Sequence, residues 1–163
     1  MSRPASKKSG GQAPREGKGA REGSAKAEQK PRGAVRVFKD CEFDGWAKSE
    51  GVADEKLCEA AAEVEKGLIN ARLGGFLIKK RVGAPGRGKR GGYRTIIAHR
   101  QGDRLIFLHG FGKNEQDDIS KKEKEALHKL GDQYMEYSGD KLSELVSEWL
   151  IIEIVCKSKV KVS

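Results

Sequence analysis

Ten lysines and arginines lie between Lys79 and Lys113, and Asp103 is the only acid among them. The ten are Lys79, Lys80, Arg81, Arg87, Lys89, Arg90, Arg94, Arg100, Arg104 and Lys113. Cations at this density can hold a polyanion, and they can stabilise the negative charge that builds on phosphate oxygens when a phosphoryl group is attacked. RNA carries its own attacking oxygen, the 2′-hydroxyl, so fixed cations are a physically sufficient basis for a cleavage site built without a metal. Arginine does not serve as a base near neutral pH, whereas a lysine crowded by other cations can pass protons. The same cluster also suits a site that only binds.

Other chemistries fit these residues poorly. The segment GAPGRGKR, Gly83 to Arg90, comes close to a phosphate-cradling glycine loop, but Arg90 stands where a magnesium-binding hydroxyl is required. A strand-like run, GGYRTII, follows it, whereas such a loop must open a helix whose N-terminus receives the phosphate. Nucleotide hydrolysis is therefore excluded, and the glycines are read as letting backbone and cations approach a phosphate chain. His99, His109 and His128 are the only histidines, and no His, Cys, Asp or Glu set has metal-ligand spacing. His99 and His109 fall on neighbouring strands where a facing structural pair is expected, and the side chains of residues 107, 109, 111 and 113 are expected to share one face. Carboxylates converging on one point, which metal-dependent nucleases and glycosidases need, are missing from the basic segment.

Charge is distributed unevenly along the 163 residues. Residues 1–34 hold nine bases and three acids, residues 35–78 six and nine, and residues 114–163 eight and eleven. A slightly acidic body around one basic segment points to a polyanion bound at a localised site. Residues 1–33 contain no aromatic residue and read as a disordered basic tail, with 34–163 as the folded domain. Cys41, Cys58 and Cys156 form no C-x-x-C pair, and their odd number in a chain without a secretory segment is read as a sign of a reducing cytoplasm. No apolar run reaches the roughly 20 residues of a membrane span, so a cytoplasmic protein with no membrane partner and no cofactor is expected.

The elements that must position the cations follow from periodicity. AVRVF, 34–38, reads as a strand, and EFDGWAKSEG and DEKLCEAAAEVEKGL as two short helices, the second capped by Asp54. GFLIKKRV, GYRTIIAHR and DRLIFLHGFGK are strand-like, the last two joined by a tight turn at Gln101-Gly102. Ser120 and Glu123 form a capping box for a helix running to about Tyr134. A further amphipathic helix follows Gly139, and IIEIV either closes the fold as a strand or extends that helix. The fold class expected is α+β, a small antiparallel β-sheet with helices packed on one side.

The ordered segments GKRGGYR, 88–94, and FGKNE, 111–115, with a hairpin between them, resemble the RelE/ParE superfamily of type II toxin–antitoxin toxins, and within it the HigB-like branch. The resemblance spans about Arg36 to Val155. It implies an mRNA interferase, an endoribonuclease that cuts message on the ribosome, commonly in the A site, without a metal. It also implies a cognate antitoxin, often a helix-turn-helix protein. By position, Arg94 matches the arginine on the scissile phosphate and Lys113 the charge stabiliser or proton donor. Lys80 and Arg81, with Lys79, match the strand that orients RNA; Arg87, Lys89 and Arg90 would hold backbone phosphates, and Tyr93 would contact RNA by stacking or else pack in the core. The tyrosine that RelE places after its last strand is missing here, which leaves Lys80 as the substitute base. A ParE-like gyrase inhibitor and a non-catalytic nucleic-acid-binding module are the alternatives.

Overall fold

The runs IIA, 96–98, and LIFL, 105–108, carry no polar residue in alternation, as strands covered on both faces require. The computed structural model describes residues 35–83, 92–112 and 118–156, and bears this out. The tail expected over 1–33 lies outside the described residues. In chain order the elements are β1 (Arg36–Asp40), α1 (Cys41–Glu50), α2 (Asp54–Glu65), β2 (Ala71–Gly74), β3 (Leu77–Val82), β4 (Tyr93–Arg100), β5 (Arg104–Gly112), α3 (Lys121–Glu136), α4 (Gly139–Ser147) and β6 (Ile151–Ile154). The six strands form one sheet in the order β2-β3-β4-β5-β1-β6. Neighbours are antiparallel except β1 and β5, which run parallel with Arg36 opposite Arg104.

The α+β class is as expected, but the helices do not lie on one side. On one face Val37, Ile78, Val82, Ile97, Leu105 and Phe107 pack with Phe43 and Ala47 of α1 and Leu57, Ala61 and Val64 of α2. On the other, Phe38, Leu77, Ile96, Ala98, Ile106, Leu108 and Phe111 pack with Tyr134 and Met135 of α3 and Leu142 and Leu145 of α4. Two buried faces leave no face for a solvated polar alternation, which is why the runs 96–98 and 105–108 at the middle of the sheet are apolar throughout.

Local signals set the element boundaries. Asp40 caps α1 by accepting from the backbone N–H of Glu42, and Gly51 ends it in the left-handed region. Ser120 and Glu123 form the expected capping box of α3, which ends at Glu136. Ala53, not Asp54, is the N-cap of α2; Asp54 is its first helical residue and accepts from the Lys39 ammonium at 2.9 Å. IIEI is a strand. No helix among the described residues is long and apolar enough to cross a membrane.

The reading of the cysteines is corrected. Cys58, buried on α2, forms a disulfide with Cys156 just beyond β6, while Cys41 is exposed and free. The pair is 98 residues apart in sequence, and only the fold brings β6 beside the α2 face, where Ile154 packs in the same cluster as Cys58. Cysteine count and spacing therefore say nothing here about compartment. A cross-link closing so long a loop mainly restricts the unfolded chain, so Cys58→Ser, Cys156→Ser and the reduced wild-type chain should each lose about 2–4 kcal/mol of unfolding free energy in urea titrations.

Candidate nucleic-acid interface and active site

Strand parity divides the cations. Antiparallel partners share a face, and the register sets Arg81 opposite Arg94 and Arg94 opposite Phe111. Phe111 belongs to the α3 face, so both guanidinium groups emerge there, at the end of the sheet where β3 and β5 finish and β4 begins. Cβ atoms of such partners lie about 5 Å apart, and like charges placed directly opposite destabilise a sheet. Among the described residues neither side chain has a carboxylate partner. Two guanidinium groups side by side, with no carboxylate partner among the described residues, suit an anion, and their planar forks match phosphate.

The next row on this face is Lys79, Ile96 and His109. Lys79 is bound to Asp118 at 3.0 Å. That hydrogen bond, against a smaller opposing effect of burial, holds the Asp118 carboxyl below its usual range, and the Ile119 N–H at 2.8 Å adds to it. Lys79 thus ties β3 to the segment entering α3 and remains beside the arginine pair.

Lys80 takes the opposite parity. Its side chain is 6 % exposed, and its ammonium is held at 2.7 Å by Glu63 of α2 and donates to the Leu68 carbonyl at 2.8 Å. The geometry places the Lys80 ammonium on the α2 side of the sheet, away from the arginine face, where it was expected to act as a base. Tyr93 is on that second face too. Its hydroxyl donates to Glu50 at 3.0 Å and its ring meets Trp46 edge-on at 5.1 Å, contacts that pack it against α1. Lys113, Arg87, Lys89 and Arg90 lie outside the described residues.

Arg100 and Arg104 sit at the other end of the strands and act as clamps. Arg104 is buried and donates to the Tyr134 and Tyr137 carbonyls at 2.8 and 2.6 Å, while Arg100 donates to that of Met135 at 3.2 Å. Asp103 accepts from both arginines. These cations satisfy the final carbonyls of α3. Tyr134 in turn donates to Asp40 at 2.7 Å, and burial followed by that contact drives its phenol far above the ordinary range.

His99 and His109 do not face each other. His99 lies opposite Leu105 and contacts Glu65 of α2. His109 is on the arginine face because β5 bulges at Leu108: Ile96 pairs with His109 while Ile97 pairs with Phe107. One extra residue reverses the alternation, so Phe107 packs on the α1 face and Phe111 on the α3 face. The expectation of a shared face for 107, 109 and 111 therefore fails at 107.

A basic, phosphate-suited face on a six-stranded α+β sheet is the frame in which the family comparison stands. A profile described as the RelE toxin of the RelE / RelB toxin-antitoxin system matches residues 35–154. The chain belongs to the RelE toxin family. No individual curated protein matches it. Membership makes the chain a toxin-family component of a toxin–antitoxin system and implies an antitoxin as its partner. The match covers both arginines of the pair and leaves the basic N-terminal segment out.

The two roles assigned to neighbouring cations separate in thermal melts. Lys80→Met removes the ammonium from Glu63 and should cost about 1–3 kcal/mol, as loss of a buried charged hydrogen bond does. Arg81→Gln and Arg94→Gln relieve like-charge repulsion and should leave the melting temperature unchanged or raised.

Proposed function

We propose that this RelE-family toxin is an mRNA interferase of the HigB-like kind, an endoribonuclease acting in the cytoplasm on message in the ribosomal A site. The uncompensated Arg81 and Arg94 pair carries this reading. When the 2′-hydroxyl attacks the neighbouring phosphorus, charge accumulates on the non-bridging oxygens, and fixed guanidinium groups stabilise that charge without reorganising. Arg94, on the central strand, is assigned to the scissile phosphate. Arg81 beside it orients the RNA backbone, with Lys79 in the next row. Lys113 is assigned as charge stabiliser or proton donor, and Arg87, Lys89 and Arg90 as phosphate contacts in the loop. The reaction proceeds without a metal and leaves a 2′,3′-cyclic phosphate and a 5′-hydroxyl. A helix-turn-helix antitoxin neutralises the toxin.

The test is to map RNA 5′ ends after brief induction in a bacterial host, with the wild-type protein beside an Arg94→Ala, Lys113→Ala double variant. New ends within translated frames should appear with the wild-type protein, and the variant should reduce them at least about 100-fold, as removal of charge-stabilising donors does. Growth arrest without new RNA ends would overturn the nuclease reading in favour of gyrase inhibition, with DNA cleavage complexes as its mark. Neither ends nor arrest, together with RNA binding that weakens steeply as salt rises, would identify a binding module.

A further inference from the structure

His109 is half-buried on β5, and its Nε2 is enclosed with no hydrogen-bond partner among the described residues. A histidine retained for packing satisfies such an atom, because an enclosed polar group left unpaired costs about 1–3 kcal/mol. Two other side-chain atoms share this state. Asp44 Oδ1 has the Lys39 ammonium 2.7 Å away, and Trp46 Nε1 belongs to the aromatic contacts on the opposite face. No described residue bonds Nδ1 of His109 either, so proton exchange with a ligand runs through that atom.

The bulge is a second and independent observation. Without the extra residue at Leu108, alternation from Phe107 would turn His109 toward α1, away from Arg94. With it, the imidazole stands on the arginine face, in ring contact with Phe111 at 5.8 Å. Phe111 is the cross-strand partner of Arg94, so His109 is the diagonal neighbour of Arg94, about 7–8 Å away between backbone positions. That separation lets a guanidinium and an imidazole engage one phosphodiester and its ribose together. Bulges commonly re-aim a side chain beside an active site, and here the re-aimed side chain is the one histidine on this face among the described strand residues.

We propose that His109 is the general base of the RNA cleavage assigned above, an inference that rests on that reading. In the tautomer with the proton on Nε2, Nδ1 takes the proton of the 2′-hydroxyl as O2′ bonds to phosphorus. The bond from phosphorus to O5′ breaks with its electron pair on O5′, which takes a proton from water. The resulting hydroxide then accepts the imidazolium proton, and the ring is regenerated. This fills the position left open when Lys80 turns to Glu63.

The test compares single-turnover cleavage of a translated message by the wild-type protein, His109→Phe, which keeps an aromatic ring beside Phe111, and His109→Ala. Binding is measured in parallel on an RNA strand carrying 2′-deoxyribose at the cut position. Both variants should cut about 10²–10⁴-fold more slowly and bind the uncleavable strand within about twofold of wild type, while His109→Phe, which removes the unpaired Nε2, should melt at or above the wild-type temperature. Added imidazole should restore part of the rate of His109→Ala. Cleavage by His109→Phe within about threefold of wild type would overturn the proposal, as would a rate loss matched by an equal loss of binding. A failed nuclease reading looks different: the wild-type protein itself would leave the message intact, and the role of His109 would fall with it.

Discussion

A sheet covered on both faces has no neutral place for a charge. Each cation on its inner strands either finds an acceptor inside the protein or stands at a strand end facing solvent. Lys39 lies between Asp44 and Asp54 at 2.7 and 2.9 Å, Lys80 is held by Glu63, and Arg104 is enclosed by the last carbonyls of α3. These three fasten helices to the sheet. Arg81 and Arg94 are the exception, set opposite each other at a strand end without a carboxylate among the described residues. The described residues supply acceptors generously to the other cations and no carboxylate to this pair, which sets it apart.

The bulge at Leu108 governs which side chains join that pair. Gly110 follows it, facing α1, and a Cβ there would come within 2.3 Å of the Trp46 ring. The indole therefore lies close against the strand at the point where parity has just been reversed. The two features are linked: the reversed strand shows α1 a bare backbone and shows the arginine face an imidazole and Phe111. In this arrangement α1 and its aromatic contacts with Phe107 and Tyr93 support the rear of the site.

Much of this was legible in the sequence. Apolar runs marked β3, β4 and β5, the Ser120 and Glu123 spacing marked the start of α3, and alternation already set Arg94 apart from Tyr93. What escaped depends on distant partners. Nothing near Lys80 announces that Glu63, on a helix 17 positions earlier, will claim its ammonium. No spacing announces that Cys58 meets Cys156. The covering of the second face was missed because a continuous apolar run reads alike in any buried strand. The four residues of β2 are too few for a pattern, and the bulge defeated the alternation rule at Phe107 because pairing, not composition, creates it.

The sheet order also has a temporal meaning. β1 is the first strand made among the described residues, yet its neighbours are β5 and β6, the last two of them. The salt bridge from Arg36 to Glu153 spans 117 residues, and the disulfide closes only once Cys156 exists. A chain still emerging from its own ribosome thus holds the hairpin of β4 and β5 before it holds the strand and edge that complete the sheet around them. Such late closure raises the mean sequence separation of contacts and slows folding. For a toxin it means that the sheet bearing the arginine face closes only after β6 has been made, an interval in which an antitoxin made alongside can be waiting.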